Sequence, residues 1–485
     1  MPQPSPKRWY ALAFIALAQF MVIMDTSIIG VALPEIQQDL GFSQENLSWV
    51  FNAYVIAFGG LLLLGGRLSD LFGAKRLFLT GWAILAAGSL VAGVADSVGV
   101  EIAGRALQGL GAAFIAPAAL TLLMMLFSHD PKELTKALAL YGAAAPAGGT
   151  AGVFLGGVIT EWVSWPWVFY INLPIAALVL AATPGLMPGA PARRGSVDIP
   201  GAIAVTAGLA LTVFATVRAP EEGWGSATTV LALAGAATLL AAFAAIQAGR
   251  HQPLVRLAIF RTPNLGAANV AQLLLGAAWI PMWFFLNLYL QQVLGLGAFE
   301  GGAALLPMTV AIMVLMVLVA PRVIARFGFK APIVAGLLLL AAGLVGLSLA
   351  RPDGSFAADV LPASLIAATG MALAFIPSLG TAISSARPEE GGLASGIVNT
   401  SYQVGSALGL AAMTALATSQ GAGQLGDPQA LTDGFSAAFL GAAGIAVAGA
   451  LLALATLRQP PQAAPPAPVE EAAHEPAGEP AISAR

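Results

Sequence analysis

Apolar runs of about 20 residues recur along nearly the whole chain, separated by short polar stretches; each run is long enough to cross a hydrocarbon core as a helix. The runs are rich in Leu, Ala, Val and Gly and show no sustained period-2 alternation. They therefore predict helices and exclude a membrane β-barrel. Spans are expected near 11–33, 47–65, 77–95, 99–126, 137–160, 165–187, 199–218, 227–248, 266–293, 301–321, 331–350, 360–381, 394–418 and 434–457. That makes fourteen, and an all-α polytopic membrane protein.

Composition agrees with this pattern. Of 485 residues only 9% are charged and 58% are hydrophobic. A soluble protein cannot cover its surface with so few charges. There are no cysteines, which excludes disulfides, thiolate metal sites and Cys nucleophiles. Lys7 and Arg8 before an apolar run suggest a signal peptide, but the run continues to about Leu33 without a cleavage site and reads as a retained first helix.

The loop charges alternate in sign. Cations gather at Lys7, Arg8, Arg67, Lys75, Arg76, Lys132, Lys136, Arg193, Arg194, Arg250, Arg256, Arg261, Arg322, Arg326, Lys330 and Arg387. The intervening loops hold Glu35, Asp39, Glu45, Asp96, Glu161, Glu221, Glu222, Asp353, Asp427 and Asp433, with only Arg218 and Arg351 as cations. This asymmetry puts both termini in the cytoplasm of a cell whose inner (plasma) membrane the chain spans. The stretch 458–485 is rich in Pro, Ala and Glu and is expected to be disordered.

An internal repeat organises the spans. Arg67 to Lys75 aligns with Arg322 to Lys330, sharing Phe72-Gly73 and Phe327-Gly328; Ala18-Gln19 aligns with Ala271-Gln272, and Gln37-Gln38 with Gln291-Gln292. The common shift of about 255 residues equates the first helix with the ninth and the second with the tenth. Two six-helix bundles, 1–187 and 262–457, separated by two inserted helices in 188–261, explain a shift of eight helices. Parallel repeats of this kind put a substrate site between the halves, near the membrane midplane.

Four motifs then resemble the fourteen-helix drug:proton antiporter branch of the major facilitator superfamily, over about residues 8–457. Gly66-Arg67-Leu68-Ser69-Asp70-Leu71-Phe72-Gly73-Ala74-Lys75-Arg76 resembles its cytoplasmic loop signature. Met24-Asp25-Thr26 through Leu33-Pro34 resembles its first-helix motif, and Arg105-Ala106-Leu107-Gln108-Gly109 the motif linked to proton coupling. Trp165-Pro166-Trp167 through Asn172-Leu173-Pro174 is similar to the start of its sixth helix. The antiporter signature on helix five is present as Gly148, Gly152, Gly156 and Gly157, with Val153 where the family has proline and Pro146 two turns earlier. Its small residues suit close helix packing.

Asp25 and Arg105 are expected to be the charges lying clearly inside spans. Helix one runs outward and helix four inward, so the two sit roughly 12 Å and roughly 9 Å from the same face and are natural partners. Two readings stand: a fixed structural ion pair, or a proton site at Asp25 tuned by Arg105. The resemblance implies that Gly66, Asp70, Gly73, Lys75 and Arg76 form a conformational latch, Asp70 meeting the first turn of helix thirteen at Gly391 to Gly396. Candidates for the substrate cleft are Gln19, Asn52, Tyr54 and Gln108 from the first half, and Gln272, Trp279, Trp283, Asn287, Asn399 and Gln403 from the second. The tryptophans fit interfacial anchors equally well.

A membrane enzyme would need a cluster of His, Asp, Glu or Cys, and a channel a filter loop or rings of charge; neither pattern is present. The resemblance implies a monomeric, proton-coupled exporter of small lipophilic molecules such as drugs or antibiotics. Its partners would be its substrate, protons and the lipid bilayer, with no cofactor, metal or nucleic acid. A dedicated metabolite exporter or a proton symporter of the same superfamily is the alternative.

Overall fold

The computed structural model describes residues 7–127, 129–189, 198–250, 253–254, 262, 264–385 and 391–458, so Arg193, Arg194, Arg256, Arg261, Arg387 and the tail beyond Arg458 lie outside the described residues. Long helices follow one another: α1 (Arg8–Leu40), α2 (Trp49–Phe72), α3 (Ala74–Gly93), α4 (Val98–Phe127), α5 (Pro131–Trp162), α6 (Asn172–Leu186) and α7 (Ile199–Glu222). After these come α8 (Ala227–Gly249), α9 (Leu265–Leu288), α10 (Ala298–Val314), α11 (Lys330–Ser348), α12 (Leu361–Ser385), α13 (Gly391–Ala417) and α14 (Pro428–Thr456). Among the described residues there is no strand.

Among the described residues, thirteen helices are long and apolar enough to cross a membrane by length and composition. The fourteenth long helix, α13, carries Ser395, Asn399, Thr400, Ser401, Gln403 and Ser406. It packs against α2, α7, α9, α12 and α14, and a helix surrounded by protein need not be apolar on every face.

Two boundaries differ from expectation for physical reasons. α1 runs through Pro34 to Leu40, burying Ile36 and Gln37, where the apolar run predicts an end near Leu33. Proline removes only one intrahelical donor, and α9 packs beside this stretch of α1. Glu35 and Asp39, read as loop acids, are therefore helical. α2 continues to Phe72, so the expected loop between α2 and α3 shrinks to Gly73, whose φ of 91° favours glycine.

Small residues set the helix pairing. A Cβ on Gly152 would stand 2.8 Å from the Met24 carbonyl oxygen, and one on Gly156 the same distance from that of Ile28; Gly148 lies against Phe20. α5 thus rides on the α1 backbone at four-residue intervals. The same relation recurs eight helices later, where Gly405 and Gly409 of α13 meet Leu273 and Ala277 of α9. α3 and α4 pack through Gly81, Gly88, Gly104 and Gly111, and α11 and α12 through Gly336, Gly343 and Gly370.

The halves touch through α2 against α13 and α5 against α10. α7 lies along the α2–α13 seam with Thr206 against Gly60, and α8 packs on α7. Buried Asp198 joins the inserted pair: its carboxylate accepts from Gly201 N at 3.0 Å and Gln247 Nε2 at 2.6 Å, and Arg250 Nε lies 3.2 Å away.

At the end that the loop charges assign to the outside, the halves close on each other. Gln292 Nε2 donates to Gln37 Oε1 at 2.7 Å, Gln291 Nε2 to the Val31 carbonyl at 3.0 Å, and Phe299 N to Glu161 Oε2 at 2.9 Å. A π-helical turn, Tyr289–Val293, presents both glutamines. Trp162 stacks on Phe299, with ring centroids 5.2 Å apart. On the opposite side Leu138, Leu140, Val314 and Val317 are exposed on α5, on α10 and just beyond it. The molecule is closed at the end where Gln37, Gln291 and Gln292 meet.

This packing predicts a graded response at neighbouring glycines. Gly152→Leu would drive its side chain into Met24 and Ser27, and overpacking of this kind costs about 1–3 kcal/mol or more. Gly149, whose added Cβ would find only ordinary contacts at 3.7 Å or beyond, should accept alanine. Thermal unfolding in detergent should show a midpoint several degrees lower for Gly152→Leu and unchanged for Gly149→Ala.

Candidate functional site

Five helices bring polar groups to one point inside the first half. α1 supplies Asp25 and α4 supplies Arg105, both fully buried, with Arg105 Nη1 2.7 Å from Asp25 Oδ2. The other carboxylate oxygen, Oδ1, accepts from Gln108 Nε2 and from Asn172 Nδ2 of α6, each at 2.9 Å. Both amides also donate to Ser89 Oγ of α3, at 2.8 and 3.0 Å. Arg105 Nη1 donates to Gln108 Oε1 at 2.7 Å, and its Nε to the Val50 carbonyl of α2 at 2.9 Å. The guanidinium lies 4.7 Å from the centre of the Tyr54 ring, whose hydroxyl donates to the Val22 carbonyl at 3.3 Å.

A charge removed from water needs a partner and hydrogen bonds for its remaining lone pairs, and Asp25 has both. The close packing of α3 on α4 makes this possible. A Cβ at Gly88 would collide with the backbone at Gln108, so Gly88 lets α4 approach near enough for Gln108 to reach Ser89.

Several of these residues escaped the sequence reading. Asn172 lay within a quoted motif but had no role, and Ser89 had no signal beyond being polar inside an apolar run. Glu101 corrects the expectation that Asp25 and Arg105 are the charges clearly inside spans. It sits one turn before Arg105 on α4, is wholly buried, and neither of its carboxylate oxygens has a hydrogen-bond partner. Its proximity to the predicted helix start concealed it, although the four-residue spacing to Arg105 was visible.

The candidate cleft residues divide into groups. Tyr54 and Gln108 belong to the ion-pair network, and Asn52 is buried nearby in sequence with both amide atoms unpartnered. Trp283 and Asn287 of α9 face Gly30 of α1, where an added Cβ would come within 3.0 Å of the indole nitrogen. They close the outer part of the interface, with Trp279 buried one turn away. Gln272 donates to the Phe375 carbonyl of α12 at 3.1 Å. Gln19, Asn399 and Gln403 are half-buried; Gln19 accepts from Tyr141 Oη at 2.8 Å, and Gln403 packs on Gly59 of α2.

The motif at the end of α2 ties helices within the first half. Lys75 Nζ donates to the Pro184 carbonyl of α6 at 2.7 Å. Arg76 is exposed and, with Phe72, Gly73 and Lys75, lines a cavity of about 260 Å³, while Gly66 is half-buried against Pro117. The Asp70 side chain lies outside the described residues, and the latch expected of it belongs to the state open to the outside.

Residues 15–410 match the profile of the Major Facilitator Superfamily. The chain belongs to this superfamily. It is 39% identical to the cephamycin export protein of Amycolatopsis lactamdurans, over 91% of each chain. It is 36% identical to the puromycin resistance protein of Streptomyces alboniger, over 94% of this chain and 91% of that one. Among solved structures, a nucleoside transporter superposes with a TM-score of 0.65 at 14% identity, covering 93% of this chain and 99% of the other; this shows the shared fold. A proton-dependent oligopeptide transporter does so with a TM-score of 0.64 at 17% identity, over 92% and 98%.

This major facilitator protein is thus a multi-pass membrane transporter of small molecules and not an enzyme. Its buried pair makes a definite demand on residue type. Arg105→Lys keeps the charge but cannot donate at once to Asp25, Gln108 and the Val50 carbonyl from a planar fork. Removing one partner of a buried pair costs about 3–5 kcal/mol, so Arg105→Met should lower stability in detergent by that order. Lysine should recover only part of the loss, measured as the unfolding midpoint.

Proposed function

We propose that this transporter exports small lipophilic antibiotics through the plasma membrane in exchange for protons, with both termini in the cytoplasm and Asp25 as the proton-binding group. The observation that carries this reading is the buried Asp25–Arg105 pair, held in a network of otherwise uncharged groups. A carboxylate in such a place is rare and functional by default. The full-length similarity to cephamycin and puromycin export or resistance proteins supports the direction and the substrate class. A monomer suffices, since one chain supplies both halves of the cleft.

The mechanism follows from the contacts. Protonation of Asp25 removes the charge that holds Arg105 and weakens the hydrogen bonds from Gln108 and Asn172. Those bonds join α1, α4 and α6, so a change in them shifts how α1 presents itself to α9 and α5. Exchange of one proton for a neutral molecule moves net charge, so the membrane potential contributes about 2.3 kcal/mol per 100 mV. Proteoliposomes with an imposed pH gradient test this reading with puromycin, lincomycin and a cephamycin. Wild-type protein should accumulate at least one of them against its gradient, and Asp25→Asn should not. Accumulation by Asp25→Asn equal to wild type would exclude Asp25 as the coupling group; transport that ignores the pH gradient would favour a uniporter.

Substrate charge follows from what the second half lacks. Its described acids sit toward the ends of the helices: Glu300 in the first turn of α10, Asp353 in the turn after α11, Asp359 paired with Arg351, Asp427 capping α14, and Asp433 bonded by Gln429. A dication in the cleft would find amides and aromatic rings, which hold a single positive charge with about 1–2 kcal/mol. Neutral or singly charged compounds should therefore be transported in preference to matched bivalent quaternary ammonium dyes. Faster transport of the dication would show that an acid lines the cleft.

A further inference from the structure

The antiport reading uses one carboxylate of a site that contains two. Glu101 lies four residues before Arg105 on α4, the spacing and order at which a helical Glu and Arg reach each other most readily. It is 0% exposed and neither oxygen is hydrogen-bonded. Arg105 spends Nη1 on Asp25 and Gln108 and Nε on the Val50 carbonyl, leaving Nη2 buried without a partner. The charged groups acting on Glu101 are Arg105 on its own helix and Asp25 on α1. To the same network α2 contributes Tyr54, α3 Ser89 and α6 Asn172.

One guanidinium is therefore bonded to one buried carboxyl group and lies one helical turn from a second that it does not yet touch. Burying an unpaired carboxylate is far costlier than burying the neutral acid, so a dry site with a single cation holds a single anion. We propose that Glu101 and Asp25 share one proton across Arg105, Glu101 holding it while Asp25 is ionised and passing it on as Arg105 changes partner. The O–H bond of Glu101 breaks, one forms on Asp25, and Arg105 turns its free Nη2 toward the Glu101 carboxylate. Net charge is zero before and after: Asp25 anion, Arg105 cation and Glu101 acid become Asp25 acid, Arg105 cation and Glu101 anion. Glu101 is one turn nearer the end of α4 that the loop charges assign to the outside, and it reloads from that side once the closure there opens. This exchange rests on the antiport reading for its purpose, but the proton sharing can be measured without any substrate.

Infrared spectra of the full-length protein in lipid nanodiscs separate the C=O stretch of a protonated carboxyl from the carboxylate bands. In difference spectra against wild type at neutral pH, Glu101→Gln should lose the band of one buried carboxylic acid. Asp25→Asn should lose it as well, because Glu101 then becomes the carboxylate partner of Arg105. Glu101→Asp, which keeps an acid there, should retain a band at a shifted position. A band that survives Glu101→Gln would overturn Glu101 as the proton holder. A band that survives Asp25→Asn, with Glu101 untouched, would overturn the sharing. Failure of the antiport reading itself shows separately, as puromycin accumulation in proteoliposomes that does not respond to the pH gradient.

Discussion

A charge inside a membrane protein has no water to fall back on, and much of the first half is arranged around that fact. Asp25 and Arg105 satisfy each other directly, and every further contact in the network completes a lone pair or a donor that the pair leaves over. The requirement reaches into the packing. Gln108 can serve Asp25 and Ser89 together because α3 and α4 approach through Gly81, Gly88, Gly104 and Gly111. Tyr54 can lay its ring on the guanidinium because α2 also lends its Val50 carbonyl to the same side chain. Helix spacing, residue size and charge placement are one problem with one solution.

The two halves share a helix-pairing scheme but differ in chemistry. In the first half α1 and the α3–α4 pair enclose the Asp25–Arg105 ion pair. In the second, the equivalent α9–α13 and α11–α12 pairs carry amides, hydroxyls and rings, such as Asn269 accepting from Ser401 Oγ at 2.8 Å and Tyr402 set edge-on to Phe375. On the proposed reading, protonation and substrate contact are divided between the halves and coupled where those halves meet. The closure at one end of the molecule is built mostly from uncharged contacts, those of Gln37, Gln291 and Gln292 and the Trp162–Phe299 stack, and the carboxylate among them, Glu161, is exposed. Such contacts are individually modest, and an interface made of them can open without stranding a buried charge. The inserted helix α7 lies along the α2–α13 seam and covers that side of the junction.

Much was legible in the chain itself. Membrane spans follow from run length and composition, since hydrocarbon tolerates few alternatives to an apolar helix. The repeat at about 255 residues foretold the recurring pairs, and the opposed directions of helices one and four put Asp25 and Arg105 at one depth before any contact was known. The helix-five glycines announced close packing, and the structure shows Gly148, Gly152 and Gly156 against α1, with Gly157 turned instead toward Ala298 and Phe299 of α10.

What the chain could not disclose depends on neighbours. Run length and hydropathy are local sums, so they determined fourteen helices and the two charges placed deepest in their spans. Whether Glu101 at a helix start meets water or is sealed in, whether Gln108 faces a cleft or a carboxylate, and whether α1 ends near Leu33 or packs on to Leu40 are decided by which helix lies alongside. The polar face of α13 reads as a weak span until five helices are seen to surround it. Burial and partnership are properties of the assembled bundle, because the dielectric around a side chain is set by residues far away in sequence.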